Sequence, residues 1–525
     1  MARESSSDCE QSAPLLGADA PVNPNNNGRT WSRSLPRPLR WWGRWPLLIA
    51  VAAVCFIAGL ATPLTLRESI VTVVPYPANP KLDDSVRVHV LSRLLQQHYP
   101  HVPGSKPREL NWAALDRLAS CLKTDSCTDS ERKVFILSSN HFGNSELGMN
   151  GGEDVWARSM ISSFRHLNHT ILFAYGSMET LFMYQGIPDM VTAVIWEEAT
   201  RRSCVNRNET NYLEIDEASK EIGAWQTGKH ACSQSVDFPH GIPHWKSFSF
   251  HFWPGSEGVP LGPRWVLSPE NYEMWQGETN RTYIGYSIEK RCDMYPTFTN
   301  REHRALVLAK KSEYFQEKHN AFYRLLGPAR DSVPPVHNDQ GEEVKFSLIS
   351  TAGQPGDKID AEGIETIGRK NQREWTEILA RSKVLLGIGV PVFLPSPYYA
   401  LCMGVPFINP VHGWDQNDPD NRDKWVTQQN ALRYTEEPFV YHVKQMDLDG
   451  LRDALQRAAD TPISRYIPPP MRFEAMVERI RKFVETDWHN MAREYVADHY
   501  KNATEWQFLA MDEPAEPVPL WGKSM

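Results

Sequence analysis

The sequence predicts an α/β protein in which two successive parallel-sheet units follow a single membrane-spanning segment. Three observations carry this. One uncharged apolar run, Pro46 to Leu66, is 21 residues long. From Lys133 onward, short apolar runs alternate with helix-patterned stretches. The alternation lapses across residues 200–260 and returns at Ala305.

A helix rises about 1.5 Å per residue, so the apolar run covers the roughly 30 Å hydrocarbon layer. Residues 1–45 are rich in Ser, Pro, Asn and Arg, which predicts a disordered tail and a retained signal-anchor rather than a cleaved signal peptide. Arg29, Arg33, Arg37, Arg40 and Arg44 precede the run with Trp41, Trp42 and Trp45, whereas Arg67 and Glu68 alone follow it closely. Basic residues stay cytosolic, so the expected topology is type II with residues 67–525 luminal. Four N-x-S/T sequons, at Asn168, Asn208, Asn280 and Asn502, all lie on that side. So do six of the eight cysteines. Cys121 and Cys127 close a tight loop, and Cys204 and Cys232 flank a polar insertion; these are the expected disulfides, with Cys402 expected as a buried thiol. A net charge of −8 argues against nucleic acid as a partner.

Val86 to Leu95 is patterned as a helix. In the first α/β unit, Val134–Ser138, Thr170–Ala174 and Val191–Ile195 read as buried strands, with a Gly-containing loop over Asn140–Gly152 and helices over Glu153–Leu167 and Met178–Tyr184. In the second unit the strands are Ala305–Ala309, Lys345–Ile349, Val384–Ile388 and Pro406–Asn409. The helices between them are Tyr314–Leu326, Gln372–Arg381 and Pro397–Met403, and one long helical pattern, Met471–His499, closes the chain. Strand–helix–strand alternation of this spacing makes right-handed βαβ units, hence two Rossmann-like domains.

Two constellations could carry chemistry. Gly151-Gly152-Glu153 lies between the first strand and its helix, where open α/β sheets bind ligands. Glu153 fits either an acid stabilised by the helix dipole or a general base. Leu386-Gly-Ile-Gly389-Val-Pro391 is a Gly-rich turn suited to a nucleotide diphosphate, although it is not a G-x-G-x-x-G fingerprint. Asp418-Pro-Asp420 and Asp447-Leu-Asp449 match a D-x-D metal motif only as many loops do.

Several stretches resemble one family, in order and spacing, from about residue 132 to about 485. They include Trp265–Trp275, Tyr283–Glu289, Leu308–Phe315, Ala380–Pro391, Pro395–Pro410 and Ile463–Pro468. The resemblance is to glycosyltransferase family 18, the α-1,6-mannosylglycoprotein 6-β-N-acetylglucosaminyltransferases of the N-acetylglucosaminyltransferase V type. It implies a GT-B fold: a stem over 67–131, an acceptor domain over 132–300, a nucleotide-sugar domain over 301–475, and a C-terminal helix and tail over 476–525. It also implies an inverting, metal-independent Golgi membrane enzyme that transfers GlcNAc from UDP-GlcNAc to a mannose hydroxyl of N-glycans, with no cofactor. Glu153 takes the place of the family's base, beside the acceptor-side loop Gly151 and Gly152. Lys310, Lys311, Gly387, Gly389, Pro391, Ser396 and Asn409 are the expected donor contacts. The chain departs from the family at Phe393 and Tyr399, where two Glu residues belong. That departure implies a differently bound or different donor, or a homologue that acts as a sugar-binding module.

Overall fold

The computed structural model describes residues 83–99, 106–149, 151–205, 232–234, 240–252, 259–271, 280–354, 359 and 361–499. The apolar run 46–66 lies outside these, and no helix among the described residues is long and apolar enough to cross a membrane.

The first sheet comprises β1 (Val134–Ser138), β2 (Thr170–Phe173), β3 (Val191–Glu197), β4 (Ser247–Phe250), β5 (Val266–Ser268) and β6 (Thr282–Tyr283). Its order is β2-β1-β3-β4-β5-β6, parallel throughout. All five side chains of β1 are buried, as a central strand covered on both faces requires. Strand β4 falls within the stretch 200–260, where the sequence alternation lapses. Ser247-Phe-Ser-Phe250 is short and flanked by loops, so its strand character comes from pairing with β3 rather than from any local run.

Helices α1 (Asp84–His98) and α2 (Lys106–Lys123) cover one face. Leu91, Leu95, Leu115 and Leu118 pack there with Ile136 and Leu172. The segment read as a stem therefore carries part of the first core. The Asn111 side chain donates to the Phe173 carbonyl and accepts from the Phe173 amide, both at 2.7 Å, so it satisfies backbone groups that edge strand β2 would leave open.

The expected loop after β1 contains a helix, α3 (Asn140–Glu146), whose first turn is capped by Ser139. It is followed by α4 (Gly152–His166) and α5 (Ser177–Gly186). Trp156 of α4 stacks on Phe250 at 3.9 Å, and Phe164 stacks on Phe135 at 4.4 Å, which fixes α4 against the other face.

The second sheet comprises β7 (Glu302–Leu308), β8 (Ser347–Ser350), β9 (Ile364–Thr366), β10 (Ser382–Gly387), β11 (Phe407–Gly413), β12 (Val426–Thr427) and β13 (Val440–Lys444). The order β9-β8-β7-β10-β11 is parallel; β13 joins β11 in parallel and β12 joins it antiparallel. The order reverses between β7 and β10, and a doubly wound sheet opens its ligand crevice at such a point, beyond the carboxyl ends of the strands. Around this sheet lie α6 (Gln372–Arg381), α7 (Ser396–Cys402) and α8 (Leu448–Asp460).

Two expected helices differ. Tyr314–Leu326 is only a short 3-10 turn, Ser312–Phe315, with helix resuming at Leu326. The segment is a run of turns: the Asn320, Tyr323 and Leu325 amides bond within it, while the Ala321 amide donates to the Ile388 carbonyl at 2.7 Å, just beyond β10. The closing helix breaks into α9 (Phe473–Glu485) and α10 (Trp488–His499), with Asp487 accepting from the Asn490 amide at 3.0 Å. Both return to the first sheet: Phe483 and Trp488 sit 4.9 and 4.8 Å from the Phe248 ring. Trp265 is core as well, only 1% exposed.

One apolar core runs from Phe135, Leu137 and Phe250 of the first sheet to Leu306, Leu385 and Phe407 of the second. Disulfides join Cys121–Cys127 and Cys204–Cys232. Cys402 is not a free thiol: it is bonded to Cys292 across 110 residues. The sequence hid this pairing because Cys292 lies outside the second sheet and only folding brings it to the end of α7.

Candidate active site

In chain order α4 follows β1 and the short helix α3. Glu153 stands in the first turn of α4 and is half-buried. Its neighbour Asp154 is buried and closes the turn, accepting from the Gly151 amide at 2.8 Å and pairing with His141 Nδ1 at 2.8 Å. Burial works against a charged His141, but the Asp154 hydrogen bond and the charges of Glu153, Asp154 and Glu197 outweigh it and raise its pKa. Ser139 donates to Glu197 at the end of β3 at 3.2 Å. The carboxyl ends of β1 and β3 thus carry three carboxylates and one histidine biased towards its charged form. Sequence reading singled out Glu153 alone, because His141 and Glu197 come near it only on folding, His141 through Asp154 of the next helix.

Gly152 lies where the two halves meet. A Cβ there would stand 3.2 Å from Phe252 and 3.7 Å from Pro395, so the small residue lets the start of α4 approach the loop that enters α7. Ser396 begins α7 one residue later and is half-buried.

Leu308 and Gly387 are register partners at the ends of β7 and β10, so Lys310 and Lys311 leave one strand beside the turn that leaves the other. Lys310 is exposed; Lys311 is half-exposed and lies 3.7 Å from Glu313. Gly389 has φ +114°, and a Cβ would meet His412 at 2.5 Å, so the turn demands glycine. The Gln428 side chain clasps the turn, accepting from the Gly389 amide and donating to the Pro391 carbonyl, each at 2.9 Å. The structure thus brings Gly151, Gly152 and Glu153 to one side of a junction and Pro391, Ser396 and the Gly387–Gly389 turn to the other.

Asn409 is the exception among the expected donor contacts. It is fully buried, donating to Thr427 and to the Gln429 carbonyl and accepting from the Gln429 amide, so its amide is engaged inside the protein. Phe393 and Tyr399 are also core residues, 2% and 4% exposed. The Tyr399 ring lies 5.2 Å from that of Tyr295, which helps line a cavity of about 560 Å³ together with Arg291 and Gln372. Asn168 and Asn280 are exposed, while Asn208 and Asn502 lie outside the described residues. Asp447 caps α8 by accepting from the Gly450 amide at 2.9 Å, which accounts for one D-x-D match.

Sequence reading missed Glu270, just past β5. It is 2% exposed, yet Tyr398 and Gln429 donate to its Oε1 at 3.1 and 3.0 Å, and Tyr286 does so at 3.5 Å. Burial pushes its carboxyl up to about 7, against the pull of these hydrogen bonds and of the Arg479 charge. A folded-state pKa above the ordinary value of 4.5 contributes stability that is fully present below pH 4.5 and lost as pH rises through about 7. The loss is on the order of 3 kcal/mol. Urea midpoints at pH 5 and pH 8 are expected to differ less in Glu270→Gln than in the unaltered chain; equal differences in both would refute the assignment.

The parallel sheets, the Gly-rich turn at a switch point and the acid across the junction from it are the parts of a ligand-binding α/β site, and part of the chain is similar to glycosyltransferases. Residues 261–507 match the model described as Glycosyltransferase family 18. Alpha-1,6-mannosylglycoprotein 6-beta-N-acetylglucosaminyltransferase A of Homo sapiens is 20% identical over 242 residues, covering 43% of this chain and 30% of that protein. The Caenorhabditis elegans alpha-1,6-mannosylglycoprotein 6-beta-N-acetylglucosaminyltransferase is 21% identical over 250 residues, covering 44% and 33%. The B enzyme of Mus musculus is 23% identical over 131 residues, covering 23% and 16%. The chain thus spans about a third or less of the relatives it matches. The family match takes in β5, Glu270, the second sheet and the returning helices; β1 to β4 and Glu153 lie outside it.

Proposed function

We propose that the chain is an inverting, metal-independent GT-B enzyme transferring GlcNAc from UDP-GlcNAc to a mannose hydroxyl, in β-1,6 linkage, on the N-glycans of glycoproteins. One observation carries the reading: the start of α4, bearing Glu153, abuts the Pro395 loop that continues from the Gly387–Pro391 turn. A donor whose diphosphate lies on that turn would present its anomeric carbon towards Glu153. Glu153 takes the proton of the attacking mannose hydroxyl, the new glycosidic bond forms as the bond to the diphosphate breaks, and Lys310 and Lys311 stabilise the departing charge. The names of the relatives support the sugar and the acceptor. We further place the enzyme in the Golgi membrane, anchored through residues 46–66 with the remainder luminal, where Asn168, Asn208, Asn280 and Asn502 would be glycosylated.

A second reading keeps the fold and changes the donor, and the apolar burial of Phe393 and Tyr399 favours it. Nucleotide release from a panel of UDP- and GDP-sugars, with a mannose-terminated N-glycan as acceptor, tests both readings. Turnover with UDP-GlcNAc is the expected result. Turnover with a different sugar supports the second reading, and no turnover or binding with any donor defeats both.

A further inference from the structure

We propose that Glu270 is a positioning residue for this transfer, holding the Gly387–Pro391 turn from across the junction through Tyr398 and Gln429; the inference rests on the donor site described above. Glu270 belongs to the first sheet's half of the junction, immediately beyond β5. Two of its hydrogen-bond donors belong to the other half. Tyr398 is on α7, the helix that the donor turn leads into, and donates to Glu270 Oε1 at 3.1 Å. Gln429 follows β12, donates to the same oxygen at 3.0 Å, and also donates to the Tyr398 hydroxyl at 2.9 Å. The three side chains form a closed triangle between the two sheets.

The triangle reaches the turn by one peptide bond. Gln428 precedes Gln429, and its carboxamide holds both the Gly389 amide and the Pro391 carbonyl. Its own carbonyl accepts from the Phe393 amide at 3.2 Å. Glu270 therefore fixes the turn from both ends: through Gln429 it sets where Gln428 presents its carboxamide, and through Tyr398 it sets where α7 begins. A merely space-filling residue here would be apolar, because burying a carboxyl is costly unless several donors meet it. In this site a single oxygen gathers three donors that no backbone group serves.

The test uses the full chain, with UDP binding read by calorimetry and the UDP-GlcNAc KM and kcat read by nucleotide release. Glu270→Leu is expected to weaken UDP binding and raise the donor KM about tenfold, the scale of one aligned hydrogen bond, with a smaller change in kcat. Glu270→Gln keeps the accepting oxygen and is expected to stay within about twofold of the unaltered chain. Gln429→Leu should match Glu270→Leu, and the double variant should lose no more than either, because all three remove one linkage. Should Glu270→Leu fail to fold, Gln429→Leu and the Gln rescue carry the test. Unchanged UDP affinity in the folded Leu variants overturns the inference alone, as do additive losses in the double variant. Absence of UDP binding in the unaltered chain overturns the donor-site reading, and this inference with it.

Discussion

Replacing Glu153 with glutamine is expected to slow transfer by about 10²–10⁴-fold, the usual contribution of a positioned general base. The substitution keeps shape and volume and removes only the ability to take a proton. Its effect on stability should be small, on the order of 0.3–1 kcal/mol, because an acid in a helix first turn interacts modestly with the dipole. Asp154, the next residue, provides the contrast. It is buried, closes the first turn on Gly151 and pairs with His141. Removing it breaks two hydrogen bonds in the interior, so Asp154→Ala should lower the unfolding midpoint as well as activity. Measuring nucleotide release and thermal unfolding side by side separates a chemical carboxylate from a structural one. Near-normal turnover in Glu153→Gln would remove Glu153 from the mechanism and direct attention to His141 or Glu197.

The second large effect concerns the covalent tie between the halves. Replacing both Cys292 and Cys402 with serine is expected to cost roughly 4–5 kcal/mol of stability, since the bond closes a 110-residue loop and removes much of the freedom of the unfolded chain. The same change at Cys121 and Cys127, which close a 6-residue loop, should cost only about 2 kcal/mol. Cys402 ends α7, and α7 carries Tyr398 and follows the Gly387–Pro391 turn. The Cys292/Cys402 variant should therefore also bind UDP more weakly, whereas the Cys121/Cys127 variant should bind it normally. Urea unfolding and UDP calorimetry on the two double variants check both statements. Equal destabilisation by the two pairs would mean that loop length is not what governs the effect.

Among the described residues, the sequence by itself determined the local periodicities. Val134–Ser138 and Gln372–Arg381 appear where their patterns put them, because a run of four apolar residues closed by Ser138 and an amphipathic ten-residue stretch each have a single way to bury their apolar side chains. The Gly387–Gly389 turn and Glu153 were legible for a similar reason, since both sit at strand-to-helix connections that chain order alone identifies. What the sequence lacked was anything that depends on distant partners. Ser247–Phe250 is a strand because β3 pairs with it, and residues 316–325 form turns whose Ala321 amide goes to the distant Ile388 carbonyl. The single helix expected over Met471–His499 divides so that Phe483 and Trp488 can both reach Phe248. Cys402 was read as a thiol because its partner lies 110 residues earlier, in a segment with no pattern of its own. Asn409, legible as a polar residue at a strand end, proved to be engaged by Thr427 and Gln429, which approach it only through β12. Glu270 is the fullest case. As a sequence it is one more acid near a proline; in the fold its carboxyl oxygen meets Tyr286, Tyr398 and Gln429, the last of them 159 residues away, at the junction of the two sheets. Periodicity is set by neighbours along the chain, so it can be read in one dimension. Burial, charge and hydrogen-bond partnership at this junction are set by residues the chain brings together only on folding, and the tertiary structure alone decides them.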